Sequence, residues 1–314
     1  MSAFAILCPG QGAQHAQMFA LAQTHSVAHR MLLDMDQHGW LGESLTAVLS
    51  SDTAMFSNVL AQPLIVAATL ANWLALGTAL PPPDLIAGYS IGELAAHGVS
   101  AALTPEVAIR LAADRARCMQ ACVNAGMPHR MLAVSGISRA AMSKLLAGSG
   151  VHIAIVNGET QMILAGLATD VEALMPLLQA QRVRGLLLTP LPVSIASHTP
   201  LMISAAEDFR QHLATSEFLP ATTGVLAGVN ASKVFSPASA RATLLAQLTQ
   251  VIEWQECMDQ LNEAGIRYAL ELGPGSALSK MLQARHPHIA CRSVDDFRST
   301  QGVIDWVHRQ AQRD

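Results

Sequence analysis

The sequence predicts an α/β protein: a mostly parallel sheet clothed by helices, with a smaller β-α-β-β-α-β subdomain inserted in mid-chain. Three observations lead there. Short apolar runs alternate with helical stretches in both the first and the last third of the chain, the pattern of a parallel sheet. Between residues 127 and 192 the rhythm changes to paired strands around an Asn157-Gly158 turn. Finally, 51% of the 314 residues are hydrophobic and only 13% charged, which supports a large buried core and excludes disorder.

Taken in order, Ala3 to Cys8 reads as a buried strand running through Pro9-Gly10-Gln11-Gly12 into a helix. Leu64 to Leu76 reads as a helix, part of an apolar stretch interrupted only by Thr69, Asn72 and Thr78. That stretch is slightly short for a membrane span and runs into three prolines and a strand, so a buried helix is expected, with no membrane association. Leu85 to Gly88 is a short strand feeding a helix from Ile91. The middle segment gives strand (131–137), helix (139–147), strands (151–156 and 161–165), helix (171–179) and strand (183–189). That order is the ferredoxin-like unit. The expected division is therefore a large domain of 1–126 and 193–314 with an inserted subdomain of 127–192. Helical stretches follow to Phe209 and over 244–248 and 253–264, and a strand at 268–272 leads into Gly273-Pro274-Gly275.

The net charge of −4 argues against nucleic-acid binding, because no overall positive field attracts phosphate. Five cysteines without CxxC spacing and no secretory signal point to reduced thiols in the cytoplasm. His25 and His29 stand four apart, but no third ligand accompanies them, so no metal site is expected. Gly10-Gln11-Gly12 belongs to neither a dinucleotide fingerprint nor a P-loop, and reads instead as a tight turn offering backbone N–H groups.

Chemistry concentrates at Gly88-Tyr89-Ser90-Ile91-Gly92, a G-x-S-x-G pattern between a strand and a helix. Such a turn holds a serine out from the sheet as a nucleophile, and it makes the large domain α/β-hydrolase-like. The Ile91 N–H, at a helix N-terminus, could stabilise an oxyanion. For the base, His97 sits on the same helix about 10 Å beyond Ser90, too far for contact. His198, in a polar loop after an apolar strand, is the better candidate. No acid announces itself as a third member.

Thr104-Pro105-Glu106 reads as a helix start. On that helix Arg115 falls on the side of Leu111 and Met119, facing inward. An inward guanidinium needs an anion. Either an internal carboxylate such as Glu93 or Glu271 supplies it, or the side chain snorkels to the rim, or a substrate carboxylate binds there through two parallel hydrogen bonds.

Six segments in order then carry a resemblance to the malonyl-CoA:acyl-carrier-protein transacylase family: Cys8 to Gln14, Gly88 to Ala95, Arg115 to Met119, Val193 to His198, Gln247-Leu248 and Glu271 to Gly275. The resemblance implies Ser90 as nucleophile, His198 as base, and Gln11 and Ile91 as oxyanion-hole donors. It also implies Arg115 as the ligand of the malonyl carboxylate, with Gln247 framing that pocket. The imidazole would be oriented by a main-chain carbonyl near Gln250. Malonyl-CoA would be the substrate, an acyl-carrier protein the partner, with no permanently bound cofactor. Tyr89 stands where relatives in fatty-acid synthesis usually have His, which looks more like the transacylase (epsilon) subunit of bacterial malonate decarboxylase. Other subunits of that complex would then be partners. Arg182 and Arg184 are the candidate basic positions for docking an acidic carrier. The alternative is a malonyl transacylase of fatty-acid or polyketide synthesis; beyond it, a serine hydrolase would share elbow and base without needing the arginine, and a catalytically silent scaffold subunit would keep the fold alone.

Overall fold

The computed structural model describes residues 3–124 and 127–313. Among these residues ten strands form two sheets. The first is built from β1 (Ala3–Cys8), β2 (Leu85–Gly88) and, after the second sheet's four strands, from β7 (Gly224–Leu226), β8 (Lys233–Val234), β9 (Ile266–Glu271) and β10 (Ala290–Ser293). Its order is β10-β9-β1-β2-β7-β8, with every pair parallel except β7 with β8. β1 lies in the middle, and its residues from Phe4 to Cys8 are all buried, as a strand covered on both faces requires. The second sheet comprises β3 (His129–Ser135), β4 (His152–Gly158), β5 (Gln161–Leu167) and β6 (Leu187–Pro190). It is antiparallel throughout, in the order β4-β5-β3-β6. The fold is thus mixed α/β, with a mainly parallel sheet and a separate antiparallel one.

The helices are α1 (Ser26–Gln37), α2 (Leu45–Leu49), α3 (Asp52–Phe56), α4 (Asn58–Leu76), α5 (Gly92–Val99), α6 (Pro105–Asn124), α7 (Arg139–Leu145), α8 (Ala168–Ala180), α9 (Ile203–Thr215), α10 (Pro237–Ala246), α11 (Trp254–Glu263), α12 (Ala277–Arg285) and α13 (Thr300–Ala311). α4 is buried without interruption from Ala61 to Asn72. By length and composition it could cross a membrane, yet here it lies in the core against α6. Two of its polar residues bond into the same loop: Thr69 Oγ1 donates to the Gly273 carbonyl (3.1 Å) and Asn72 Nδ2 to that of Leu272 (2.8 Å).

Several elements differ from the sequence expectation. No helix follows Pro9-Gly10-Gln11-Gly12 directly; turns occupy that stretch and α1 starts only at Ser26. The strand expected from Val183 begins at Leu187, because Arg182 and Gly185 take positive φ (49° and 80°) and break extended backbone. The three-residue β7 and two-residue β8 are too short to carry a periodic signal. The boundary expected at 126/127 falls beside residues 125–126, which lie outside the described residues. The smaller sheet is also tied by backbone to the segment between α10 and α11: Val156 N–H donates to the Ile252 carbonyl (2.9 Å), and Ile252 N–H to that of Ala154 (3.0 Å).

His97 of α5 is fully buried, and neither ring nitrogen has a hydrogen-bond partner. Burial lowers its pKa from 6.5 to about 4. The unfolded chain therefore takes up this proton first. The neutral ring contributes stability above pH 6.5 that is lost as pH falls towards 4, on the order of 3 kcal/mol in all. In urea unfolding between pH 7 and pH 4.5, His97→Leu is expected to lose less stability than wild type, by roughly 2 kcal/mol. Parallel profiles would contradict this account.

Candidate active site

Three strand ends meet at one edge of the larger sheet: Cys8 of β1, Gly88 of β2 and Glu271 of β9. The carboxyl edge of a parallel sheet is where ligands bind in such folds. Between β2 and α5 the chain turns so sharply that Ser90 adopts φ 53°. The turn needs both flanking glycines. A Cβ on Gly88 would lie 2.4 Å from the Gly92 carbonyl, and one on Gly92 would lie 2.1 Å from the Cys8 carbonyl oxygen. Tyr89 N–H donates to that same Cys8 carbonyl (3.0 Å), fastening the turn to the end of β1.

Ser90 Oγ lies 2.8 Å from His198 Nε2. His198 is itself at φ 62° and 2% exposed, and its backbone N–H donates to the Leu248 carbonyl (2.9 Å). Its Nδ1 meets the main-chain carbonyl of Gln247. This corrects the expectation that Gln250 supplies that carbonyl. Gln247 caps the C-terminus of α10, where carbonyls lack an intrahelical partner, whereas Gln250 is exposed one turn further on. With the Nδ1–H given to a carbonyl, Nε2 is left as the acceptor for the Ser90 hydroxyl. Burial, reinforced by the nearby Arg115 charge and opposed by the Gln247 carbonyl, lowers the imidazole pKa to about 3. The ring is therefore a neutral base at physiological pH.

Arg115 is 2% exposed on the inner face of α6, whose start is capped by Thr104 as expected (Val107 N–H to Thr104 Oγ1, 3.3 Å). Its recorded partners are two neutral amide oxygens: Nη1 donates to Gln62 Oε1 (2.5 Å) and Nη2 to Gln247 Oε1 (3.3 Å). Glu271, one candidate counter-ion, instead caps α12 by accepting from the Leu278 and Ser279 N–H groups (3.2 and 2.8 Å). Glu93, the other, stands behind Gln247, accepting from its Nε2 (3.1 Å) and from the Gly228 N–H (2.9 Å). Burial raises the Glu93 pKa to about 7 and lowers that of Arg115 to about 10, the two charges partly offsetting each effect.

A cleft of about 330 Å³ opens over these groups. Gln11, Ser90, Arg115 and His198 line it from the larger sheet's side, Met131 and Ile163 from the smaller sheet. Ile91 lies at the N-cap of α5, where backbone N–H groups have no intrahelical acceptor. Gln11 sits in the β1 loop, which Gln14 holds by accepting from Gly12 N–H (2.5 Å) and donating to the Met55 carbonyl (3.1 Å). The structure thus gathers Ser90, His198, Arg115, Gln247 and Gln11 at one place, and leaves Gln250 outside the histidine contact. A strained serine, a neutral imidazole and a buried cation around one cleft suit nucleophilic acyl chemistry on an anionic substrate.

A family model described as acyl transferase domain matches residues 5–300. The malonyl CoA-acyl carrier protein transacylase of Mycobacterium tuberculosis is 32% identical over 301 residues, 92% of this chain and 95% of the relative. The chain belongs to the malonyl-CoA:acyl-carrier-protein transacylase family. As such it is an acyltransferase. The namesake from Haemophilus influenzae is 27% identical over 316 residues, covering 98% of this chain and all of the relative. Among solved structures, FabD from Acinetobacter baumannii superposes with a TM-score of 0.89 at 29% identity, covering 98% of this chain and 99% of that one. A malonyl-transacylase in complex with its type II PKS acyl-carrier protein gives a TM-score of 0.89 at 26% identity, covering 97% and 99%.

Sequence reasoning missed Gln62, the nearer amide on Arg115. Its signal was a polar residue just ahead of the apolar run of α4, where a buried amide needs a partner. It also left Gln14 and the bridging place of Glu93 unassigned. Because Gly92 abuts the Cys8 carbonyl, Gly92→Ala is expected to displace the turn. Thermal unfolding should show a loss of at least about 2 kcal/mol. Labelling of Ser90 by a serine-directed phosphonate should fall at least about tenfold, and unchanged labelling would contradict this reading of the turn.

Proposed function

We propose that the protein transfers a malonyl group from malonyl-CoA to the prosthetic-group thiol of an acyl-carrier protein by a ping-pong mechanism. The observation that carries the reading is Arg115, buried beside the Ser90–His198 pair and, among the described residues, hydrogen-bonded to the neutral amides of Gln62 and Gln247. Its positive charge is left for an acyl group that ends in a carboxylate. The family's names for its members point to the same donor and acceptor.

In the first half-reaction His198 Nε2 takes the Ser90 proton as Oγ attacks the thioester carbon. The N–H groups of Gln11 and Ile91 hold the oxyanion, each such donor being worth about 2.7–4 kcal/mol in related chemistry. The C–S bond then breaks, and the imidazolium returns its proton to the departing CoA thiolate, leaving malonyl-Ser90. In the second half-reaction the carrier thiol gives its proton to His198 and attacks the ester. The released Ser90 alkoxide recovers that proton. The Gln247 carbonyl stabilises the imidazolium through Nδ1–H, the place an acid would take in a triad. On this reading residues 1–126 and 193–314 form the catalytic domain and 127–192 a subdomain that completes the cleft.

The relatives favour a carrier of fatty-acid or polyketide synthesis. A second reading, service to malonate decarboxylase, rests on Tyr89, whose hydroxyl donates to Asn157 Oδ1 (3.1 Å) on β4 and so ties the nucleophile turn to the smaller sheet. Presenting malonylated enzyme with a phosphopantetheine carrier and with a carrier bearing the CoA-like group of the decarboxylase separates the two by relative rates. Arg182 and Arg184 are both exposed, and on either reading they are candidates for carrier docking.

Brief mixing with malonyl-CoA should leave one malonyl group on the intact protein by mass spectrometry, absent in Ser90→Ala and scarce with acetyl-CoA. Arg115→Ala should lower the malonyl-over-acetyl ratio of kcat/KM at least about a hundredfold, since breaking a buried charge pair costs about 3–5 kcal/mol. Free malonate without acceptor would mark a hydrolase instead, and no adduct with no CoA release would mark a silent subunit.

A further inference from the structure

Gln247 serves the site twice. Its main-chain carbonyl meets His198 Nδ1, and its side-chain Oε1 accepts from Arg115 Nη2. An amide has a nitrogen end and an oxygen end of nearly the same shape, so something must decide which faces the guanidinium. With the ends exchanged, an NH₂ would face the N–H groups of Arg115, donor against donor, between two buried side chains. The residue that decides is Glu93. It is fully buried, and its Oε2 accepts from Gln247 Nε2 at 3.1 Å and from the Gly228 N–H at 2.9 Å. An acceptor held by a backbone N–H behind Gln247 draws the nitrogen end to itself and leaves the oxygen end for Arg115.

We infer that Glu93 is a positioning residue that sets the amide orientation of Gln247 and, through it, the alignment of Arg115 for a carboxylate-bearing acyl group. The inference rests on the malonyl-transfer reading above. Glu93 is hydrogen-bonded to neither the Ser90 hydroxyl nor the guanidinium; apart from the attraction between its charge and that of Arg115, its reach runs through Gln247. Two further contacts fit this arrangement. Gln62 holds the other guanidinium nitrogen and is itself fixed by donating to Asn58 Oδ1 (3.1 Å), so a wrongly turned Gln247 could not be accommodated by swinging Arg115 away without breaking that link. Glu93 also lies on the first turn of α5, the helix that carries the Ser90 turn at its start, so the nucleophile and the selector of the amide are held by one rigid element.

The test is a double-mutant cycle read as selectivity. The ratio of kcat/KM for malonyl-CoA to that for acetyl-CoA is measured in wild type, Glu93→Ala, Gln247→Leu and the double variant, with Glu93→Gln as the conservative partner. Glu93→Ala is expected to lower the ratio about tenfold, mainly through a higher KM for malonyl-CoA. Glu93→Gln keeps an oxygen acceptor and is expected to restore most of the ratio. In the Gln247→Leu background Glu93→Ala should cost little more. If Glu93→Ala does not fold, Glu93→Asp, whose oxygen is drawn back by one methylene, takes its place with the same expectation. An equal loss with both donors, or the same cost with and without Gln247, overturns the proposal and leaves Glu93 a packing residue. A wild type that shows no malonyl preference overturns instead the functional reading beneath it.

Discussion

The cation buried at Arg115 is the constraint around which the rest of the site is arranged. A guanidinium withdrawn from water demands hydrogen-bond acceptors, and this chain supplies amide oxygens from Gln62 and Gln247 in place of a carboxylate. These amides accept from both Nη1 and Nη2 without neutralising the charge. That charge adds to burial in holding His198 unprotonated, so on the proposed reading one group would both prepare the base and select the acid terminus of the acyl group. A carboxylate in direct contact would do neither as well; Glu93 stands one residue further back, close enough to moderate the field and too far to occupy the guanidinium.

The geometry of the Ser90–His198 pair is carried by backbone. Ser90 and His198 both occupy the left-handed region, at φ 53° and 62°, where a side chain bearing Cβ is strained. The surroundings hold them there: Gly88 and Gly92 sit where no Cβ fits, and the His198 N–H is bonded to the Leu248 carbonyl. Strain of this kind persists because the sheet edge is stiff. The ends of β1, β2 and β9 are joined by Tyr89 and Leu272 N–H groups donating to the Cys8 and Leu7 carbonyls. Behind them Thr69 and Asn72 of α4 bond the carbonyls of Gly273 and Leu272.

How much of this was legible depended on whether the information was local. The β1, β2 and β9 strands announce themselves as apolar runs, and the separate antiparallel sheet by the order of its elements. Ser90 was readable because glycine spacing and the strand-to-helix context are sequence properties, and Arg115 because a charge on an apolar stripe is visible from helical period alone. Gln62 and Glu93 were not assigned their places, since their partners lie 53 and 154 residues away and nothing local marks them. The error over Gln250 has the same origin: which carbonyl faces His198 depends on where α10 ends, and helix ends are the least readable feature of a sequence. The short β7 and β8 escaped for want of length.

The bridge between Ile155 and Ile252 gives the molecule a mechanical property beyond its chemistry. It seals part of the β4 edge, a row of backbone groups that would otherwise invite another chain. It also lies a short way downstream of Gln247, on the same stretch of chain. Swinging the smaller sheet outward must break two backbone hydrogen bonds and tug on the segment that aligns His198. One side wall of the cleft and the support of His198 are therefore moored to a single short stretch of chain, a shared anchorage that neither sheet provides by itself.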